Sequence, residues 1–473
     1  MLLYNTLVRK KEEFVPLKKG AISFYQCGPT VYWTQHIGNL RAMTMGDVIR
    51  RTLEYLDYSV THARNYTDVG HLVSDEDEGE DKMEKGAKRE GKTPDEIAKK
   101  YIDIFEQDTR ALNILEPTHK PRATAYVQQM IDMVSVLMEK GFAYKTDLAV
   151  YYDVSKFDGY TKLSGQKLEK NVKGAGHADV EDSEKRNSQD FALWFFLKGE
   201  HKNAMQHWSS PWGEGFPGWH IECSAMSKAL LGDTIDIHMG GVEHIPVHHT
   251  NEIAQSEASN GVKFVNYWLH NEHLLVNNEK MAKSQGTGYS LEEVKAKGFH
   301  PLVLRYFFLQ AHYRSQQNFT WEGLEASHNG LENLLKTIFI LRESLRRSSS
   351  DLLVAPHDSL WRKKFVSFLE DDFNLPAALA VLWELLNSKE PAETKMVIVF
   401  DFDKVLGLNL DKLTAISIPT PIKQLIGVRE QLRQEKKFQE ADKVRTQIED
   451  QGFTLEDANG KTVVMPKRFL GNG

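Results

Sequence analysis

The period of the apolar positions changes several times along the chain, and each change marks an element. Residues 21–27 (AISFYQC) form a short apolar run rich in β-formers, which predicts a strand. Gly28-Pro29-Thr30 breaks that run. From 37 to 55, Leu40, Met43, Val48 and Leu53 recur near helical spacing, and residues 60–66 predict the next strand. Strand, helix, strand is a βαβ unit, which implies a parallel sheet whose working site lies at the carboxyl ends of its strands. Residues 116–212 lose this regularity, with short strand candidates such as 148–154, and read as an insertion between two halves of the sheet. The parallel pattern returns at 233–241 (DTIDIHMGG), followed by a helix over 248–258 and a strand-rich segment at 268–276.

After Ser290, which forms a capping box with Glu293, the pattern is mostly helical, through 302–313, 331–345 and 360–386. Beyond the turn-rich residues 417–421, the spacing predicts one amphipathic helix with Leu425, Leu432, Ala441, Val444 and Ile448 as its apolar stripe. A hairpin closes the chain, with Asn459-Gly460 supplying a type I′ turn. The expected fold class is α/β.

A length of 473 residues suggests about three folding units. Acids outnumber bases 66 to 59, a formal net charge of −7, which excludes a general polyanion binder but not a local basic face. No run of about 18 apolar residues predicts a membrane span. The charged cluster at 9–13 leaves no room for the apolar core of a signal peptide, so a cytoplasmic protein is expected. The acidic run 74–81 reads as a solvated loop. Only two cysteines exist, Cys27 and Cys223, and in a reducing compartment no disulfide is expected between them. Two readings remain: buried inert thiols, or ligands and reactive groups.

Three strings carry chemistry. His36-Ile37-Gly38-Asn39 opens the first helix, where free N–H groups and a glycine let a phosphate approach the backbone. Lys280-Met281-Ala282-Lys283-Ser284 sits in a glycine-containing loop after a strand, where two lysines three apart can clamp a triphosphate losing pyrophosphate. Alone, the first reads more readily as a polar helix start and the second as a solvated basic turn. The third is distributed: the two cysteines, plus His248 and Glu252, which project from one helix face four residues apart. Two thiolates, an imidazole and a carboxylate form a credible zinc set. By chemistry alone His220, His238, His244 and His249 are rivals as ligands.

In this order, the first two strings resemble the HIGH and KMSKS signatures of the class I aminoacyl-tRNA synthetases. Asn39 replaces the last histidine and Ala282 the first serine. The strings around the cysteines, Tyr25-Gln26-Cys27-Gly28-Pro29-Thr30 and Gly218-Trp219-His220-Ile221-Glu222-Cys223, resemble the cysteinyl-tRNA synthetases. So do Arg64-Asn65-Tyr66-Thr67-Asp68, residues 191–194, 210–213 and 371–374, and 441–445, so the likeness spans nearly the whole chain. Departures are Thr250, Pro246-Val247 and Gly70, where that family often has Glu, Phe-Pro and a second acid.

The resemblance implies a Rossmann-type catalytic domain at 1–310 with its insertion at 116–212, a stem-contact and helical bundle domain at 311–415, and a small α+β anticodon-binding domain at 416–473. It implies one Zn2+ per chain on Cys27, Cys223, His248 and Glu252, and Mg2+ accompanying ATP. It implies that His36, Gly38, Asn39, Lys280 and Lys283 bind and activate ATP, with Pro29, Thr30, Ile37, Met281, Ala282 and Ser284 in the signature segments. Thr67 and Trp219 match positions around the substrate, although Trp219 reads as well as a core aromatic. The implied partners are L-cysteine, ATP and tRNA(Cys), with no membrane. The implied reaction forms cysteinyl-adenylate and pyrophosphate, then transfers cysteine to the tRNA 3′ end. The alternative is a ligase joining activated cysteine to a small amine, against which the tail beyond residue 421 argues.

Overall fold

A computed structural model describes residues 1–70, 81–166, 182–281, 287–346, 359–458 and 461–471. The chain divides into two compact units. The first holds residues 1–290, 313–318 and 370–373, and the second holds the remainder.

In the first unit, β1 (Leu2–Asn5) and β2 (Lys10–Glu13) pair as an antiparallel hairpin. The central sheet begins with β3 (Ala21–Gln26), crosses over through α1 (Ile37–Tyr55) and continues as β4 (Ser59–Arg64). After α2 (Lys82–Glu90), α3 (Pro94–Ala111) and α4 (Val127–Glu139) comes a separate antiparallel sheet. Its strands run in the order β5 (Ala143–Lys145), β6 (Ala149–Tyr152), β7 (Phe191–Phe196) and β8 (Gly215–Pro217). The central sheet resumes after α5 (Trp219–Leu231) with β9 (Ile235–Gly241), α6 (His248–Asn260) and β10 (Val265–Asn271). Its order is β10-β9-β3-β4, and every neighbouring pair is parallel.

The expected βαβ start and the insertion between sheet halves are both present. Strand β9 is buried along its whole length, as befits a central strand covered on both faces. The α1 stripe of Leu40, Met43, Val48 and Leu53 is buried. Helices α2 and α3 were not among the predicted elements. The signal for α3 was in the sequence: Thr93 and Glu96 form a capping box around Pro94 at the helix start. Beyond β10, the short strands β11 (Leu274–Val276) and β12 (Glu279–Lys280) pair antiparallel.

The second unit is largely helical: α7 (Leu291–Ala296), α8 (Pro301–Leu309), then, beyond β13 (Gln317–Phe319), α9 (Trp321–Arg346). Helices α10 (Leu360–Leu369), α11 (Leu375–Asn387), α12 (Ala392–Leu406) and α13 (Leu410–Thr414) follow. The helical pattern of 360–386 is therefore two helices. Between them Asp372 and Phe373 take φ of +60° and +55°, and the Asp372 carboxylate accepts from Tyr4 N at 2.9 Å and Tyr313 Oη at 2.8 Å, all within the first unit.

The tail corrects the expected single amphipathic helix. It contains two, α14 (Thr420–Gln434) and α15 (Phe438–Asp450), separated where Lys436 turns to φ +61°. A continuous helix would leave its stripe unpaired. Breaking it buries Ala441, Val444 and Ile448 of α15 in a helical hairpin. The closing hairpin pairs β14 (Phe453–Ala458) with β15 (Lys461–Pro466), and Asn459-Gly460 lies outside the described residues. No helix among the described residues is long and apolar enough to cross a membrane.

Candidate active site

One cavity of about 540 Å3 opens at the carboxyl ends of β3, β4, β9 and β10. It gathers Cys27, Pro29, Thr30, His36, Gly38, Asn39, Thr67, Trp219, Cys223, His248, Lys280 and Met281, which lie far apart in sequence.

The ATP-signature side is built on the start of α1. His36 is the N-cap, and its Nδ1 accepts from Asn39 N at 3.2 Å, which leaves Nε2 as the ring's donor. Asn39 Nδ2 donates to Gln35 Oε1, so the asparagine that replaces histidine keeps a hydrogen-bonded place. Ile37 N donates to Tyr289 O at 2.8 Å, and His36 bridges to Ser290. The chain returning from the lysine loop is thus fastened to the helix start that it serves. Lys280 and Met281 line the cavity, while Ala282, Lys283 and Ser284 lie outside the described residues.

The amino-acid side is set by close backbone approach. Gly28 N donates to Asn65 Oδ1 at 2.8 Å, and a Cβ on Gly28 would fall 1.7 Å from Asn65 O. Only glycine lets the end of β3 lie this near the end of β4. Val31 N donates to Thr67 O and Thr67 N to Pro29 O, both at 3.1 Å, which fixes Thr67 beside Cys27. The Thr67 hydroxyl accepts from Asn65 Nδ2 at 3.2 Å and donates to Glu222 Oε2 at 3.1 Å. Trp219 is not a core aromatic: it is 39% exposed and stacks on His248 with ring centroids 4.4 Å apart.

Cys27, Cys223, His248 and Glu252 are all buried, and one ligand atom from each lies within 4.8 Å of the others. A second group, Cys27, His238, His249 and Glu252, meets the same limit. Of the four rivals, His238 and His249 thus come together with Cys27 and Glu252, whereas His220 and His244 stand beside them. His238 Nε2 and His248 Nε2 both lie 2.9 Å from Glu252 carboxylate oxygens, and His220 Nδ1 lies 3.0 Å from His248 Nδ1. Only the first group includes both thiols, and three of its members, Cys27, Cys223 and His248, line the cavity with Thr67 and Trp219, whereas the second group reaches it through Cys27 alone.

The four groups are electrostatically coupled. Burial raises the Glu252 carboxyl, but the His238 and His248 imidazoles hold it down at about 2. Burial lowers His248, and Glu252 lifts it to about 10. Burial raises the Cys27 thiol, yet hydrogen bonding, first to Cys223 and then to His244 and His248, brings it well below its ordinary value. The contact with Cys27, together with burial, pushes Cys223 well up. Burial leaves His249 and His270 as neutral rings, linked at 2.7 Å, with His270 Nδ1 2.8 Å from Thr6 Oγ1. A metal ion here would find ionisable soft and borderline donors already converged.

Sequence reasoning gave no role to Asn65, Glu222 or His270. The first two stand in strings already singled out, whereas His270 carries no local signal and matters only because β10 lies beside β9. Gly70, one of the departures noted from the sequence, has no room for a side chain: a Cβ there would meet Asp81 Oδ2 at 1.7 Å.

Comparison with known proteins bears on the family and the fold. The family described as tRNA synthetases class I (C) catalytic domain matches residues 13–329. A cysteine–tRNA ligase of Treponema denticola is 42% identical, covering 97% of this chain and 98% of that one. One of Burkholderia lata is 43% identical over 97% and 95%, and one of Thermococcus gammatolerans is 42% identical over 98% of each. Among solved structures, LeuRS of Agrobacterium radiobacter in a ternary complex with tRNA and LeuAMS has a TM-score of 0.59 at 12% identity, covering 86% of each chain. Methionyl-tRNA synthetase of Mycobacterium tuberculosis bound by methionyl-adenylate has a TM-score of 0.54 at 14% identity, covering 83% of this chain and 91% of that one. These two bear on the fold, and the near-complete matches on the family: the chain belongs to the cysteine–tRNA ligases, within the class I aminoacyl-tRNA synthetases.

Proposed function

We propose that this chain joins L-cysteine to tRNA(Cys) in two steps, with a Zn2+ on Cys27, Cys223, His248 and Glu252 selecting the amino acid. The supporting observation is that Cys27, Cys223 and His248, which converge with Glu252, line the same cavity as His36, Gly38, Asn39 and Lys280. In the first step the cysteine carboxylate attacks the α-phosphate of ATP, giving cysteinyl-adenylate and pyrophosphate. In the second, a hydroxyl of the terminal ribose of the tRNA attacks the cysteinyl carbonyl carbon, the ester forms, and the mixed anhydride breaks to release AMP.

His36 Nε2, Asn39 and the α1 N-terminus face the phosphates, while Lys280 and Lys283 neutralise charge as pyrophosphate departs, with Mg2+ accompanying ATP. Thr67 is held by Asn65 and Glu222 in a fixed orientation beside the amino acid, and Trp219 walls the other side. Zn2+, one per chain, would ligate the substrate thiolate, whereas a serine hydroxyl stays protonated and is a poor ligand. Shape alone separates such near-isosteres by only about 1–3 kcal/mol. The residues assigned to the catalytic domain are 1–310, with 311–415 contacting the stem and 416–473 the anticodon. The reaction belongs in the cytoplasm, with its tRNA. Relatives that match through nearly the whole tail support a tRNA acceptor over a small amine.

The test is cysteine-dependent ATP–pyrophosphate exchange, followed by charging of total tRNA, with serine and a small amino sugar as controls. Exchange with cysteine but not serine, and transfer to tRNA, is expected. Transfer only to the amine would overturn the acceptor, and equal exchange with serine would overturn the metal's role.

A further inference from the structure

Next to the cavity stands an aromatic and cationic platform that the adenylate chemistry does not use. Tyr32 lines the cavity, and Trp33 follows it with 39% of its surface exposed. Arg89 of α2 lays its guanidinium carbon 3.8 Å from the Trp33 ring centroid and donates to Tyr32 O at 3.0 Å. Tyr101 of α3 lies nearly parallel to Trp33, at 16° with centroids 6.3 Å apart, and its hydroxyl is 3.2 Å from the Arg89 guanidinium. Helix α2 approaches this closely because Gly86 lacks a side chain: a Cβ there would sit 3.3 Å from Tyr32 O.

The same helix supplies positive charge. Lys82 lines the cavity with its ammonium 6.0 Å from the Tyr32 ring, Lys85, Lys88 and Arg89 are exposed, and so is Lys92 just past the helix end. Its two acids are engaged: Glu84 accepts from Met205 N at 2.7 Å and pairs with Lys88, and Glu90 pairs with Lys100 at 2.7 Å, Arg89 at 3.2 Å and Lys92 at 3.8 Å, which leaves the bases in excess. An exposed indole under a guanidinium, continuous with a cavity and flanked by lysines, has the chemistry of a single-stranded nucleic-acid contact. Bases stack on aromatic and guanidinium planes, and lysines follow the phosphates.

We propose that Trp33, Arg89 and the basic face of α2 receive the single-stranded 3′ end of the tRNA as it enters the cavity. A base stacks on the Trp33–Arg89 platform, and Lys82 leads the backbone past Tyr32 toward the adenylate. This rests on the aminoacylation reading above, since only that reaction brings an RNA end to this cavity.

The experiment uses the full chain with Trp33→Ala, Trp33→Phe and Arg89→Gln. Binding is measured for intact tRNA and for tRNA trimmed of its single-stranded 3′ end, alongside tRNA-free ATP–pyrophosphate exchange. Trp33→Ala is expected to weaken intact tRNA roughly tenfold, the scale of one base–aromatic stack, and to leave trimmed tRNA and exchange unchanged. Trp33→Phe, which keeps a π face, restores most of the loss. Arg89→Gln also shrinks the salt dependence of intact-tRNA binding. Unchanged binding of intact tRNA, or an equal loss with trimmed tRNA, overturns the platform. A parallel fall in exchange also overturns it, because these residues would then merely brace the Tyr32 loop. Absence of exchange in the unaltered protein would instead overturn the aminoacylation reading itself.

Discussion

Gly28→Ala is the sharpest test of how the cysteine pocket is built. The added Cβ would stand 1.7 Å from Asn65 O, 2.8 Å from Asn65 C and 3.3 Å from Arg64 Cγ. An ordinary contact needs roughly 3.5 Å, so the ends of β3 and β4 must part by about 2 Å. The obstacle is backbone in the central sheet, which cannot swing aside as a side-chain tip would. The same parting would strain the Gly28 N to Asn65 Oδ1 hydrogen bond and the Val31–Thr67 and Thr67–Pro29 pair. Overpacking of this kind costs about 1–3 kcal/mol or more of stability. The functional cost is larger, because Cys27 precedes Gly28 and Thr67 is tied to Pro29, so opposite walls of the pocket separate. A misplacement of about 1 Å can lower a rate some hundredfold. Cysteine-dependent ATP–pyrophosphate exchange should therefore fall by at least about two orders of magnitude in kcat/KM for cysteine, with a lowered Tm. Exchange within a few-fold of the parent, in a folded variant, would refute the close-approach argument.

Cys223→Ser should lower zinc content by more than the roughly 10–100-fold affinity loss of an outer-shell change, and with it cysteine activation; unchanged metal analysis would reject this ligand. Lys280→Ala should slow adenylate formation by about 10²–10³-fold with little loss of cysteine binding, as for removal of one preorganised charge, and an unaltered exchange rate would count against it. Burial holds the Asp81 carboxyl up at about 6, above its ordinary 3.8. A raised acid favours the folded state while protonated, so stability should be fullest below 3.8 and decline as pH rises through about 6. Asp81→Asn, which still caps α2, should flatten that part of the urea-unfolding pH profile. An identical slope in the variant would show that another group titrates.

The sequence determined by itself whatever depends on neighbours a few residues away. The α1 stripe, the buried run of β9, the β3–α1–β4 crossover and the closing hairpin follow from periods of 3.6 and 2. The signature strings announced themselves because a helix start and a lysine loop are local devices. Tertiary structure alone decided what depends on chain segments meeting. One amphipathic stripe in the tail became two helices, because a stripe says which side is apolar but not that it must fold back on itself. Two ligand quartets share Cys27 and Glu252, and spacing could not separate them; the first borders the cavity through Cys223, brought there when α5 packed beside β3. Gly28 was a plain turn letter and Gly86 carried no reading at all until Asn65 and Tyr32 came within a side chain's width. Their meaning is steric and non-local, so it exists only once the strands and helices are in place.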